Sequence, residues 1–444
     1  MNILLIYPAK LDKHGRPVKY KKAFLPPLSL AILNSLTPAE HKVKVINDIV
    51  EDLDLSDSYD LVGITAMTSQ AERAYQIADR FRESGTTVII GGIHASILPQ
   101  EAKEHADSVV IGEAENLWEQ LLRDVARGEL KEFYQDSSFP DLQESVVPKW
   151  DNMNLDIYPR PMGYSLPKMP IFTTRGCPFG CRFCSVTRYF GKTYRVKPVS
   201  HVLKEIESVN AESFFFVDDN IVCNVDYSRE LFKALAGKGI RWFSQISTTV
   251  LKHPDLIDLA GKCGCSGLFI GIESINSKNL RSVGKSFNKC EEYEELFSRL
   301  RKAGIKPFPS IIFGFDNDDQ DIFRRTLSFL IKTKVSQAAF WILTPLPGTA
   351  LFDEMNNENR ILYDNWSMYD FKNLSPSELQ KRYWETYQEF YSLKNIAKRV
   401  LSGVTISSDV LRVIAHGLFY GFYFRGTVYS FEHPFSGGVG RIKR

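Results

Sequence analysis

Cys177, Cys181 and Cys184 fall within eight positions of the segment TTRGCPFGCRFCSVTRYFG (residues 173–191), and their sulfurs are the atoms of this chain best suited to demanding chemistry. The spacing C-x3-C-x2-C would place three sulfurs along one helical face, but Gly176, Pro178 and Gly180 favour a loop. A glycine-rich loop frees backbone N–H groups to point at a bound anion, and the thiolates of an iron–sulfur cluster need such hydrogen bonds. Three ligands leave one iron of a [4Fe–4S] cube without a protein ligand, able to take a substrate. The competing readings are a structural zinc completed by His201 or Cys223, or three unrelated buried thiols. Zinc sites usually come as paired C-x2-C units, and no second pair occurs here.

Such a loop needs a rigid strand end to present it. From Ile171 onward apolar runs recur as IFTTR (171–175), SFFFV (213–217), RWFSQI (241–246), GLFIGI (267–272), PSIIFGF (309–315) and AAFWIL (338–343). Helical spacing separates them at 199–209, 226–236, 289–303 and 319–332. Six strands with right-handed crossovers predict an α/β unit over 171–360, a partial (βα)6 barrel whose active rim is the carboxyl ends of its strands. Residues 1–130 have the same rhythm, with strands at 3–7, 43–46, 61–66, 87–90 and 108–111 and helices at 28–36, 69–84 and 114–127. They predict a Rossmann-like, doubly wound sheet that binds its ligand at the strand ends. Prolines at 140, 148, 159, 161 and 167 mark 131–170 as a linker. Residues 361–444 are read as a mostly helical cap. Ser375 ahead of Glu378 opens one helix with a capping box, and a second covers 409–426. The uncharged stretch Val413–Phe424 would cap the barrel, line a greasy pocket or lie in a lipid interface, the last making peripheral membrane contact through this helix.

Across 444 residues, 55 Lys and Arg against 53 Asp and Glu leave a net charge of +2, so no long-range field gathers nucleic acid or anionic lipid. No apolar run approaches the roughly 18 residues needed to cross a bilayer, and MNILLIYPAK lacks the basic region and cleavage site of a secretory signal. A cytoplasmic protein is expected, in which clustered cysteines bind metal instead of forming disulfides. Cys223, Cys263, Cys265 and Cys290 are read as inert thiols, and RYFGKTYRVK (188–197) as solvated cations over packed aromatics.

The motif made by Cys177, Cys181, Phe183 and Cys184 resembles the C-x3-C-x-aromatic-C signature of the radical SAM superfamily. That resemblance implies a [4Fe–4S] cluster whose open iron chelates S-adenosylmethionine, a small-molecule or lipid-like substrate, and an electron donor of flavodoxin or ferredoxin type. Reductive cleavage would release a 5′-deoxyadenosyl radical that takes hydrogen from an unactivated carbon. The other rim positions agree with the family's SAM-holding sites: Phe183 within the motif, Asp218 and Asp219 in FFFVDDN, Gln245 and Ser247, Glu273 in FIGIES, and Gly314 for close approach of the adenine.

GITAMTSQ, GGIHAS and VVIGEAE are similar to the cobalamin-binding domain that precedes the barrel in one class of that superfamily, the class B-type methyltransferases. The resemblance implies a corrin held by Thr65, Met67, Thr68 and Ser69, by Gly91, Gly92 and His94, and by Gly112 and Glu113. Met67 and Thr68 are expected beneath the corrin. His94 touches its nucleotide tail or is a loop histidine bonded locally to backbone. The D-x-H-x-x-G motif that ligates cobalt in other cobalamin domains is absent, and Asp12-Lys13-His14-Gly15 imitates it only in part. The expected activity is cobalamin-dependent methylation of an unactivated carbon. Its rivals are a cyclisation or rearrangement without methyl transfer, and a non-catalytic iron–sulfur or cobalamin carrier.

Overall fold

A computed structural model describes residues 1–158, 169–362 and 369–402, together with 421, 424–429, 433 and 438–442. The amino-terminal unit grows from β1 (Asn2–Tyr7), whose residues Ile3 to Ile6 are wholly buried. Both faces of this strand are covered, which is why it reads as an unbroken apolar run. After a short outlying strand, β2 (Tyr20–Ala23), come β3 (Lys42–Asn47), β4 (Leu61–Thr65), β5 (Thr87–Gly91), β6 (Ser108–Ile111) and β7 (Phe133–Gln135). The sheet is parallel in the order β3-β1-β4-β5-β6-β7. Leu4, Ile6, Val62, Ile64, Val88 and Ile90 pack against the helix Ala71–Glu83. The alternate residues meet the helices Leu28–Leu36 and Trp118–Arg127 through Leu30, Trp118 and Leu121. The chain runs from β1 out to β3 and back to β4, so the switch point that opens a ligand crevice lies between β1 and β4.

Two departures from expectation appear here. A sixth strand, β7, lies inside the segment read as linker. The chain stays on this unit beyond it, where Lys149 N–H donates to the Ala31 carbonyl (3.2 Å) and Asn47 Nδ2 to Tyr158 Oη (3.0 Å). Three residues are too few to show a hydrophobic period, which hid this strand. The first barrel strand is also displaced. It is β8 (Met169–Ile171), while Thr174–Arg175 forms a separate β9 that pairs antiparallel with β10 (Arg195–Val196). The cysteine loop and the helix Ser185–Phe190 are the excursion between β9 and β10.

The remaining strands are β11 (Ser213–Phe216), β12 (Arg241–Ile246), β13 (Cys265–Glu273), β14 (Lys306–Phe313) and β15 (Ala339–Ile342). With β8 they form an open parallel sheet in the order β15-β14-β13-β12-β11-β8, the half-barrel that six strands predict. Ser375 caps the helix Pro376–Phe390 by accepting from Glu378 N–H (3.2 Å). Tyr387 and Phe390 of that helix pack on Phe340 of β15, with ring centroids 4.8 and 5.6 Å away, closing the outer face of the barrel. The stretch 409–426 lies outside the described residues except at 421 and 424–426; Phe424 stacks toward Phe308 of β14 (6.1 Å). A carboxyl-terminal strand, β16 (Gly438–Ile442), pairs antiparallel with β2.

Lys306, at the start of β14, has its ammonium pushed down to about 7 by burial, with Arg241 adding to the shift. Folded and unfolded chains both carry its charge below pH 7, and between there and about 10.5 only the unfolded chain does, so stability rises with pH across that window. Lys306→Met is expected to raise the urea midpoint at pH 6, with the gain shrinking at pH 9 and above.

Candidate functional site

The three motif cysteines are reduced and half-buried in a loop whose backbone is tied down on both sides. Cys181 N–H donates to the Phe179 carbonyl (2.7 Å), Cys184 N–H to that of Cys181 (3.1 Å), and Arg182 N–H to that of Val283 (3.0 Å). A thiol hydrogen bond from Cys223 lowers the Cys177 pKa, and the Phe179 N–H assists. Cys223, read as an inert thiol or as a fourth ligand to a zinc, stands beside the first motif sulfur, where Asn220 Nδ2 reaches it at 2.9 Å. Burial pushes Cys184 up to about 12 and raises Cys181, and Lys285 opposes both shifts. These thiols become thiolates when a cation takes the proton's place. Among the described residues no three His, Cys, Asp or Glu side chains converge on one point, as a single zinc ion requires. A cube has separate irons and asks only for three thiols near one another, and here Cys181 feels the charge of Cys177 and Cys184 that of Cys181.

Lys285 is buried and paired with Glu273 at the end of β13. Burial works against its charge, while Glu273 and Cys181 hold its pKa up. Glu273 adopts φ +60°, rare for a non-glycine residue, where the β13–β14 register shifts. Gly271 makes room for the pair, since a Cβ there would stand 2.7 Å from Lys285 Nζ. The ion pair is thus buried and strained, close enough to the cysteine loop for Lys285 to feel the Cys181 charge. Asp218 is turned inward, its Oδ1 accepting from the backbone N–H and hydroxyl of both Thr173 and Thr174, while Oδ2 stays unpartnered. Asp219 is the member of the pair that meets the cysteine loop, accepting from Gly176 N–H (3.1 Å); burial pushes its pKa up to about 6. Gln245 donates to the Asp218 carbonyl (3.2 Å), and Ser247 Oγ accepts from Asn220 (3.0 Å), so both hold rim loops in place. Phe183 packs against the barrel core. Gly314, at φ +99°, would place a Cβ 2.7 Å from Phe371. The packing that demands a glycine there comes from the carboxyl-terminal region.

At the strand ends of the amino-terminal unit lies a cavity of about 280 Å3 whose walls include Tyr7, Leu33, Val110 and Trp118. Of the residues expected on the corrin, Thr65, Met67, Gly91, Gly92, Gly112 and Glu113 line it. Gly92 is required by contact: at φ +91° its Cβ would lie 2.7 Å from Thr65 Oγ1. Met67 is 49% exposed at this cavity, an apolar side chain left for something to cover. Thr68 and Ser69 form the turn beside the cavity and are not part of its lining. His94 also points elsewhere, its Nε2 held by the side chains of Tyr75 (Oη, 3.0 Å) and Glu101 (3.1 Å) and not by the local backbone expected as its alternative partner. An apolar slot of this size suits an aromatic base of a nucleotide tail. Arg175, also in the lining, leaves Nε buried without a partner, an orphan donor that an amide-rich corrin would satisfy.

The two rims meet at this cavity. Glu113 is buried between Arg175 and Arg195, and Arg175 also pairs with Glu115. Burial works against the Arg175 charge, but Glu115 and Glu113 more than restore it. Tyr189 Oη donates to the Gly112 carbonyl (2.9 Å). Glu113, expected on the corrin, thus bridges the two units, and Arg175 lies two residues before Cys177. Neither arginine was expected at the site; the signal was available in two acids (GEAE, 112–115) and two arginines at facing strand ends.

Residues 21–122 match the family model described as the B12 binding domain, and residues 171–330 that of the Radical SAM superfamily. Bacteriochlorophyllide d C-12(1)-methyltransferase of Chlorobaculum tepidum is 34% identical over 389 residues, 84% of this chain and 84% of its own. The chain belongs to the cobalamin-binding radical SAM family. A second relative from the same organism, bacteriochlorophyllide d C-8(2)-methyltransferase, is 32% identical over 84% of this chain and 87% of its own. The radical SAM methyltransferase TsrM of Kitasatospora setae, solved with cobalamin and a [4Fe–4S] cluster, shares the fold with a TM-score of 0.62 at 17% identity, covering 80% of this chain and 75% of that one. As a radical SAM enzyme, this protein uses a [4Fe–4S] cluster, S-adenosylmethionine and cobalamin.

Glu113→Ala leaves Arg195 without an acid partner and Arg175 with Glu115 alone. It is expected to cost about 3–5 kcal/mol of stability, read from chemical denaturation, and to weaken cobalamin retention on gel filtration.

Proposed function

We propose that this radical SAM enzyme methylates an unactivated carbon of a flat, largely hydrophobic, ring-containing small molecule. One observation carries the reading: Arg175, two residues before Cys177, lines the corrin cavity and pairs with Glu113 and Glu115 of its rim. The cluster loop and the corrin cavity therefore face one shared space, as a substrate attacked from one side and methylated from another requires. The cluster supplies the electron that breaks S-adenosylmethionine, and the corrin supplies the methyl group.

The chain's own residues position and enclose. Cys177, Cys181 and Cys184 hold the cluster. Lys285 and Glu273 offer opposite charges to the zwitterionic end and ribose hydroxyls of S-adenosylmethionine, with Asp219 beside them. Gly91, Gly92 and Gly112 let backbone approach the corrin, Thr65 borders it, and Met67 lies against it. Rim contacts such as Gly348 against Ile97, where a Cβ would stand 2.8 Å from Cγ2, help exclude water from reactive species. A ring-containing substrate is supported by the names of the two relatives above, both acting on bacteriochlorophyllide d. The reading places the enzyme in the cytoplasm, supplied by a low-potential electron donor. No helix among the described residues is long and apolar enough to cross a membrane.

Anaerobic reconstitution with iron, sulfide, cobalamin and S-adenosylmethionine is expected to yield 5′-deoxyadenosine, and a chlorophyllide-type substrate to gain the mass of one CH2. Loss of hydrogen alone would mark a cyclisation instead. The triple Cys177, Cys181, Cys184→Ala variant is expected to bind no iron and form no 5′-deoxyadenosine; production at the wild-type level refutes the assignment.

A further inference from the structure

The chain as a whole is nearly neutral, yet charge is sharply partitioned around the cysteine loop. Residues 175–197 contain six Lys or Arg and no Asp or Glu, and residues 276–290 contain four and none; Arg175, Arg182, Arg195, Lys197, Lys285 and Lys289 are paired with acids from other segments, which leaves Arg188, Lys192, Lys278 and Arg281 with no ion pair among the described residues. The fold brings the two segments together. Phe179 stacks on Phe287 with ring centroids 4.2 Å apart, Arg182 N–H donates to the Val283 carbonyl (3.0 Å), and Arg182 Nη1 reaches the Ser282 carbonyl (3.4 Å). Pro178 and Gly180, which alternate with Cys177 and Cys181 along the loop, are exposed. Lys192 lies over that opening, its Nζ 3.0 Å from where a Gly180 Cβ would stand. Lys192, Lys278 and Arg281 are exposed and form no ion pair among the described residues.

We infer that this surface docks an acidic one-electron carrier protein, with the stacked Phe179–Phe287 pair at its centre and Lys192, Lys278 and Arg281 around it. The inference rests on the cluster reading above and adds where the electron enters. Arg175 and Tyr189, which flank the loop in sequence, line the cavity, while Pro178 and Gly180 between them are exposed, so that stretch is the one left for a protein donor. A carrier here stands one residue from two cluster ligands. Its reduced flavin gives up one electron and becomes the semiquinone, the cluster gains that electron, and no bond forms between the proteins. Opposite charge steers such encounters and makes their rate sensitive to salt.

The test uses cluster-loaded wild type and the K192E/K278E/R281E variant, mixed anaerobically with flavodoxin hydroquinone while the cluster absorbance is followed. Reduced methyl viologen, a small cation, serves as the second reductant. Reduction by flavodoxin at low salt is expected to slow about tenfold or more in the variant and to lose its salt dependence, with the viologen rate not reduced. An unchanged flavodoxin rate, equal slowing with both reductants, or wild type reduced by viologen and never by flavodoxin overturns the assignment. Wild type that takes up no iron overturns the cluster reading beneath it instead.

Discussion

Four charges where the two units meet, Glu113 and Arg175 buried and Glu115 and Arg195 half-buried, decide how the halves of this molecule sit. Buried ion pairs add little net stability, because desolvation consumes most of the Coulomb gain, but they penalise every arrangement that separates them. That trade suits this enzyme. The acids extend from the loop after β6 and the arginines from β9 and β10, so satisfying the charges also fixes the cysteine loop against the cavity rim. The apolar walls, by contrast, would tolerate sliding. Tyr189, with its hydroxyl on the Gly112 carbonyl, adds direction to the same contact.

The second constraint is local. Glu273 takes a backbone conformation that side chains avoid, and Gly271 lacks a side chain so that the Lys285–Glu273 pair can fold across it. Both residues end one strand, which is rigid because its neighbours on either side are long and parallel. Strain held on a stiff support keeps this buried pair of opposite charges in one fixed place near the cysteines.

Most of the strands were legible because buried parallel strands are continuous apolar runs, and the cysteine motif was legible because its spacing and glycines have few other uses. The helices 28–36 and 226–236 matched within a residue. Sequence did not show which member of a polar pair faces the site. Asp218 and Asp219 are chemically identical, and only the fold turns one inward to fasten Thr173 and Thr174. Lys285 was invisible for a similar reason: its partner lies 12 residues upstream, and the turn that folds them together has no local signature. Short strands such as β7 and β9 carry too few residues for a period. His94 shows the converse, since a histidine in a glycine-rich loop invites a ligand role that Tyr75 and Glu101 already satisfy.

The pairing of β16 with β2 makes the polypeptide a closed circuit, its last described strand hydrogen-bonded to its first unit after the whole barrel has been traversed. Drawing the two halves apart to admit a bulky cofactor must then unzip this ladder or bend around it. Load placed on β16 is therefore borne by its ladder with β2 and passed straight to the amino-terminal unit.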